Sequence, residues 1–406
     1  MSMETGISLE RAVELIRTAV KPLDTERIPA WKALGRVLAE DIIAPMDQPP
    51  FPRSPLDGYA LHCDDSIGAS KEHPVKLTVC GMLCAGDWRE EEVPVGAAVR
   101  IMTGAPIPRG CNCVIRQEDT DEGADSVEIY CELKEWENYC FRGEDYEVGD
   151  ILVPAETMVN SAVMGVLSGA GLCRGDETVE VRKVPKVAII CTGDELVENV
   201  VTPLPKGKIY SSNHALLENR LRELGMDVFA IFKTDDEEEV AQVIREASER
   251  VDAIITTGGV SVGVKDIFHR VFPMLEAERV FWRVLLKPGT PAMLSIYNHT
   301  PVLSLSGNPF AAAATFELLG RPLLAALTGK TALLPQKVKA QLGTDFPKSG
   351  KVRRFVRGTL MDGVVTLPEG HSSGQLRSTV GTNCLVELEA GRGPVQAGEI
   401  VTVYLL

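Results

Sequence analysis

The chain has 406 residues, 45% hydrophobic and 24% charged, with 57 acidic against 42 basic side chains and a net charge of −15. That length supports roughly two to four domains, and the acidic balance excludes nucleic acid or an anionic membrane as the main partner. No apolar run reaches the roughly 18 residues of a membrane span, and the N-terminus lacks the basic-then-apolar pattern of a secretory signal. A cytoplasmic globular protein is expected. Any anionic substrate must be caught locally, by backbone N–H groups, a few basic side chains or a bound cation.

Ser8 reads as the N-cap of a first helix with Ala12, Val13, Ile16 and Val20 on one face. Residues 45–60 carry five prolines in their first eleven positions, which rules out a regular helix or central strand and marks an extended crossing. Short apolar runs at Val75–Val79, Ala98–Met102, Cys113–Arg116 and Val127–Cys131 predict a small β-rich domain. From Glu147 to about Leu172 the chain turns extended and then helical, so the β-domain reads as an insertion into another unit.

From about residue 181 strand-like and helix-like runs alternate: Val187–Cys191, His214–Leu224 closed by Gly225, Val228–Phe232, then Thr234-Asp235-Asp236-Glu237 as a capped helix start. Ala253-Ile254-Ile255 is a buried strand running into Thr256-Thr257-Gly258-Gly259-Val260-Ser261-Val262-Gly263, with Lys265 and Asp266 before a helix over Ile267–Leu275. Strand, glycine turn and helix aim free backbone N–H groups at an anion, and the missing Cβ atoms allow close approach. Asp266 suits that position if a divalent cation sits between it and a phosphate. An ordinary Gly-rich turn would read the same way. Apolar runs at Val280–Leu286, Ala292–Ile296 and Val302–Leu305 follow, and Gly307-Asn308-Pro309 opens a long helix ending near Gly329.

Alternating strands and helices imply a mostly parallel sheet, whose ligands sit beyond the carboxyl ends of its strands. After successive strands come TGDE, TDD, TTGGVSVG, LKPGTP and SGNP, so acidic groups, glycine turns and a lysine converge on one rim. The last 75 or so residues alternate again at Arg354–Leu360, Cys384–Leu388 and Ile400–Leu405, as in a small barrel or sandwich. Ten cysteines match no paired-knuckle zinc spacing and are expected as buried free thiols.

RSPLDGYALH at 53–62, RIMTGAPIPRGCNCVIRQED at 100–119, FRGED at 141–145, CTGDEL at 191–196, IYSSN at 209–213, TTGGVSVGVKD at 256–266, LLKPGTPAML at 285–294 and LSGNPF at 305–310 together resemble the molybdopterin molybdenumtransferase family. This MoeA-like family includes the E domain of gephyrin. The resemblance implies a multidomain α/β plus β protein. It would comprise a linking and dimerisation domain (1–50 and 147–180), an inserted β-rich domain (51–146), a MogA-like doubly wound molybdopterin-binding α/β domain (181–329) and a small C-terminal β-barrel (330–406).

It also implies a homodimer with a shared active site, taking adenylylated molybdopterin and molybdate with Mg2+ and releasing AMP. A molybdopterin adenylyltransferase and apo-molybdoenzymes would be its partners. On the residues quoted, Glu195, Asp235 and Asp266 fall on metal positions, and Asp57, Thr103 and Asp145 on positions of the inserted part that reach across the dimer. Asp235 also fits a helix cap. Lys287, with Arg283 on the same face of a strand, falls on the oxyanion positions, as do Arg357 and Ser373; Arg353 and Arg354 read as surface charge. Thr192, Gly193, Ser211, Asn213, Gly258, Gly259, Ser261, Pro288, Gly289 and Asn308 complete the expected substrate site.

Departures are Ser306, Phe310 and Ala311 in the last motif, Leu56 before the DGYA aspartate, and Arg283 where a lysine is common. A tungstate-preferring paralogue, a molybdopterin adenylyltransferase and a non-catalytic dimeric scaffold are the other readings of the same pattern.

Overall fold

The computed structural model describes residues 3–197, 202–233, 235–261, 267–348 and 350–406. Two compact units result: Met1–Ile28, Ala33–Ala39 and Glu180–Leu406 form the first, Pro29–Lys32 and Glu40–Val179 the second.

The first unit is built on a seven-stranded sheet. In chain order its strands are β1 (Glu4–Ile7), β2 (Lys186–Thr192), β3 (Asp227–Lys233), β4 (Ala253–Thr257), β5 (Glu278–Val284), β6 (Met293–Tyr297) and β7 (Thr300–Leu305). Their spatial order is β1-β5-β6-β7-β4-β2-β3. The strands β7, β4, β2 and β3 run parallel, as the alternation of strands and helices predicts. The sheet is nevertheless mixed, because β6 is antiparallel to both its neighbours; residues 298–299, both at positive φ, make a tight β6–β7 turn where a crossover helix would be needed for parallel pairing.

Alternate residues of the parallel strands enter two cores, as a sheet covered on both faces requires. Val187, Ile189, Cys191, Ile255 and Leu303 face one cluster with Leu217 and Leu221 of helix Ser212–Glu223 and with helix Leu9–Ala19. Ala188, Ile190, Ile254 and Val302 face the other, under helices Glu237–Ser248 and Phe268–Met274. Each fully buried Leu, Ile or Val contributes about 1.5–3 kcal/mol, so this layering is the main source of the unit's stability. Ser8 caps the first helix as expected, accepting from the Arg11 amide at 3.1 Å.

The long helix over Pro309–Thr328 is apolar enough to span a membrane by length and composition, yet 83% of that window is buried in protein. It is a core helix interrupted by a π-turn at Phe316–Gly320. Inside it Glu317 accepts from Arg220 Nε at 2.8 Å and from Arg321 at 3.2 Å, which satisfies the buried charges. Gly329 ends it in the left-handed region at φ 72°.

The C-terminal strands Arg353–Met361, Val364–Thr366, Lys337–Leu342, Ile400–Leu405 and Cys384–Leu388 pair in that order, and the last closes on the first. This is a closed five-stranded barrel around Val356, Val386 and Val403, with Leu286–Lys287 added beside Arg353–Met361.

The second unit carries a five-stranded sheet in the order Cys113–Arg116, Gly58–Leu61, Ala97–Ile101, Val75–Leu83, Ser126–Ile129. Its helix Ser161–Gly169 is capped by Asn160, whose side chain accepts from Val163 N at 3.0 Å. All ten cysteines are free, and Cys111, Cys113, Cys191 and Cys384 are buried, the other six being half-buried. Burial pushes Cys113 up to about 12 and Cys384 up to about 11, which keeps both as inert thiols.

Candidate active site

The carboxyl ends of β2, β3, β4 and β7 open into a cleft of about 520 Å³ lined by residues 192–193, 195–196, 209–213, 235, 257–259, 261 and 306–309. Thr192, Gly193, Glu195, Ser211, Asn213, Asp235, Gly258, Gly259, Ser261 and Asn308 all line it. Residues scattered over 117 positions of sequence thus meet on one rim because parallel strands end together. Asp266 lies outside the described residues.

Each wall has a local cause. At Gly193, φ is +147°, and a Cβ would fall 2.8 and 2.9 Å from the Glu195 carboxylate oxygens, so that carboxylate rests against bare backbone. At Gly258, φ is +93°, and a Cβ would fall 2.7 Å from the Thr192 carbonyl oxygen, so only glycine lets β4 turn against β2 here. The Gly258 amide does not face the cleft as a free donor, because it donates to the Leu305 carbonyl at 3.2 Å. Glycine at 258 therefore serves close backbone approach, and the expected phosphate nest loses that N–H.

Ser211 caps helix Ser212–Glu223 by accepting from His214 N at 3.3 Å. Asn213, buried at its first turn, donates to Gly307 O at 2.9 Å and so ties this helix to the loop after β7. Asp236, not Asp235, caps the next helix, accepting from Glu239 N at 2.8 Å. That leaves Asp235 on the cleft wall, its amide donating to Asp194 Oδ1 at 3.3 Å.

A second cleft of about 630 Å³ shares Ser261, Ser306 and Asn308 with the first. Lys287, Pro288 and Gly289 reach it from the loop after β5, and Lys348, Arg354, His371 and Ser373 from the barrel. The Leu286–Lys287 strand pairs in parallel with Arg353–Arg354, which sets Lys287 directly beside Arg354. Among the described residues neither has a carboxylate within 4 Å, whereas Arg353 is paired with Glu10 and Glu387. Like charges opposite one another on paired strands are unfavourable unless an anion offsets them. Gly289 is required at its own place, since a Cβ would sit 2.1 Å from Thr315 Cγ2.

Three expectations change here. Arg283 lines neither cleft: at φ +64° near the end of β5 it stays exposed and stacks on Trp282 at 5.5 Å. Arg357 is only 1% exposed, lies 3.8 Å from the Phe310 ring, and donates to Gln375 O at 2.6 Å and Ser372 O at 2.8 Å. It shapes the 370–375 loop that carries Ser373 rather than lining the cleft. Arg354, by contrast, is a cleft residue and not mere surface charge. Lys348 had no motif to mark it, and His371 stands two residues before Ser373 in the GHSSG segment without having been expected in the cleft.

His371 is held below the ordinary histidine range by burial, then by the charges of Arg357, Lys348 and Arg354. Its ring is therefore neutral at neutral pH and gains its proton only as pH falls. Sulfate, used as an unreactive dianion, is expected to bind this cleft about threefold to tenfold more tightly once His371 is charged. Calorimetry at descending pH should show that increment in the wild type and none in His371→Gln; an equal increment in both would remove His371 from the cleft's charge balance.

In the second unit Asp57 and Thr103 are brought together. The Thr103 hydroxyl and amide each donate to Asp57 Oδ1 at 2.7 Å, and they hold the carboxyl below the usual carboxylate range. Asp145 is exposed on a separate turn, its amide donating to Gln48 O at 2.9 Å.

Comparison with known proteins matches three family models in order. They are the MoeA N-terminal region (domains I and II) over residues 7–171, a probable molybdopterin binding domain over 188–326, and the MoeA C-terminal region (domain IV) over 339–406. The molybdopterin molybdenumtransferase of Staphylococcus aureus strain COL is 35% identical over 405 residues, covering 98% of this chain and 95% of its own. That of Staphylococcus epidermidis strain ATCC 12228 is 35% identical over 413 residues, covering 100% and 97%. The crystal structure of the molybdopterin biosynthesis moeA protein from Pyrococcus horikoshii OT3 superposes with a TM-score of 0.84 at 29% identity, covering 98% of this chain and all of that one. With its rim of carboxylates and glycine turns, its basic second cleft and this full-length likeness, the chain belongs to the molybdopterin molybdenumtransferase family.

Proposed function

We propose that this protein is a molybdopterin molybdenumtransferase that inserts molybdate into adenylylated molybdopterin and releases AMP. The observation that carries the reading is the pair of adjoining clefts: one is walled by hard oxygen donors and tight glycine turns, the other by Lys287 and Arg354 side by side. A phosphorylated substrate and a free oxyanion are two anions that must meet, and each cleft suits one of them.

In the first cleft Thr192, Gly193, Ser211, Asn213, Gly258, Gly259, Ser261 and Asn308 would hold the pterin and its phosphates. Backbone approaches closely there, where side chains are absent. In the second, Lys287, Arg354, Lys348 and the Ser373 hydroxyl would hold molybdate by charge-assisted hydrogen bonds, while Pro288 and Gly289 shape the turn. Glu195 and Asp235 fit Mg2+, being carboxylate oxygens on one rim, one of them laid over a glycine that leaves room for nothing larger. Asp266 would join them. When bound, Mg2+ would neutralise the phosphoanhydride and polarise its bond.

We place the reaction in a cytoplasmic homodimer, in which Asp57, Thr103 and Asp145 of a second copy serve the same substrate. A molybdopterin adenylyltransferase would supply that substrate, and apo-molybdoenzymes would take the product.

The test is to incubate the purified protein with adenylylated molybdopterin, Mg2+ and either molybdate or tungstate. AMP release that requires the oxyanion is the expected result, and the two oxyanions compared side by side report the preference. Adenylyl transfer from ATP to free molybdopterin would replace this reading with the adenylyltransferase. Absence of both reactions in a folded dimer would favour a scaffold.

A further inference from the structure

Among the described residues, one group of three His, Cys, Asp or Glu side chains brings its ligand atoms within 4.8 Å of one another, and it lies in neither cleft. It is His62-Cys63-Asp64 in the second unit, at the start of the 3-10 turn Cys63–Ser66 that follows strand Gly58–Leu61. We infer that His62, Cys63 and Asp64 form a binding site for a thiolate-seeking divalent metal of the zinc class, with the fourth position open to water.

The geometry is close to that of a tetrahedral site. Cys63 Sγ lies 3.8 Å from Asp64 Oδ1, and His62 Nδ1 lies 3.7 Å from Asp64 Oδ2. Zn–S, Zn–N and Zn–O bonds of ordinary length place neighbouring tetrahedral ligands about 3.4–3.6 Å apart, so small side-chain adjustments close the set. His62 presents its Nδ1 lone pair inward, where it accepts from the Asp64 amide in a long contact of 3.4 Å. That contact is weak, and a metal would replace it at small cost.

The backbone beneath the ligands is fixed. Asn112, 8% exposed, accepts from the Cys63 amide at 2.8 Å and donates its Nδ2 to Cys63 Sγ at 3.3 Å. A donor aimed at the sulfur favours the thiolate and orients it, the arrangement expected behind a metal-bound cysteine. Ser66, fully buried, donates to the Cys63 carbonyl at 2.6 Å and accepts from Leu133 N at 2.9 Å, which locks the turn. Side-chain exposures of 44% for His62 and 74% for Asp64 leave an open face for water or a small ligand.

Binding replaces the Cys63 S–H bond with a sulfur–metal bond and releases one proton to solvent. The thiolate and carboxylate then balance the two charges of the ion. Hard Mg2+, which prefers all-oxygen octahedral surroundings, is a poor match for this donor set. The site is therefore chemically distinct from the Glu195–Asp235 rim.

The test is Co2+ titration of the whole protein under a non-chelating reductant, with Mg2+ in excess to cover the oxygen-donor positions. One equivalent of Co2+ should give a thiolate-to-cobalt charge-transfer band in the near ultraviolet, displaced by Zn2+. Cys63→Ser should abolish the band, and His62→Ala and Asp64→Asn should each weaken Co2+ binding about tenfold or more. No stoichiometric band in the wild type, or a band retained in folded Cys63→Ser, would overturn the assignment. If circular dichroism shows Cys63→Ser unfolded, the two exposed-ligand variants decide alone, and unchanged affinity in both overturns it equally.

Discussion

Replacing Glu195 by glutamine is expected to lower AMP release about 100-fold or more while leaving the fold unchanged. The carboxylate lines the first cleft against the bare backbone of Gly193, and the change removes one charge with almost no change of shape. Its own local structure depends on main chain: Ile209 N donates to the Glu195 carbonyl at 2.8 Å, and Leu196 N to the Gly193 carbonyl at 3.0 Å. Both bonds survive the substitution. What is lost is a hard anionic ligand for the cation that would neutralise a phosphoanhydride, and electrostatic groups of that kind are worth about 3–4 kcal/mol at a reacting centre. Single-turnover AMP release over a range of Mg2+ concentrations measures it, with thermal unfolding as the fold control. Partial recovery at high Mg2+ would place the defect in metal affinity. Turnover within threefold of wild type at all Mg2+ concentrations would remove Glu195 from the mechanism.

Gly58→Ala is expected to have the largest effect on stability. Gly58 begins a strand held between Cys113–Arg116 and Ala97–Ile101, in register with Arg116 and Ile101. A Cβ there would meet the Ile115 carbonyl oxygen at 1.8 Å, its carbon at 2.9 Å and Arg116 Cα at 3.1 Å. All three are backbone atoms of the neighbouring strand, so no side chain can rotate away. Overpacking of this kind costs about 3 kcal/mol or more, which should lower the melting temperature by about 6–12 °C in a unit of this size. The adjoining Asp57–Thr103 pair should loosen with it. Gly165→Ala is the matched control: Gly165 is exposed in helix Ser161–Gly169, and a Cβ there would meet nothing within 4 Å. Alanine at that position should stabilise by up to about 1 kcal/mol. Equal melting temperatures for Gly58→Ala and wild type would mean the two strands separate freely at that point.

Local chemistry is legible in a sequence because it depends on residues a few positions apart. The Ser8 cap, the buried strand ahead of Gly258-Gly259 and the glycine stop at Gly329 all follow from short-range hydrogen bonding and φ preference. The motifs in order also carried the family and the layered α/β plus β architecture. Because parallel strands end together, the rim of Thr192, Glu195, Gly258 and Asn308 followed from the alternation alone.

What only the tertiary structure decided depends on contacts distant in sequence. Strand Glu4–Ile7 is an edge strand because Phe281 to Val284 lie beside it, and nothing in its four residues announces that pairing. Asp235 and Asp236 are interchangeable as caps in sequence; the helix register spends Asp236 and leaves Asp235 on the cleft. Arg354 and Arg357 lie three apart on one strand, so the pleat turns them to opposite faces. One then stands beside Lys287, and the other is buried on Phe310 with its two terminal guanidinium nitrogens donating to carbonyls. Sequence by itself determined which residue types the chemistry has to work with; long-range packing decided which of them face the anion and which hold the wall behind it.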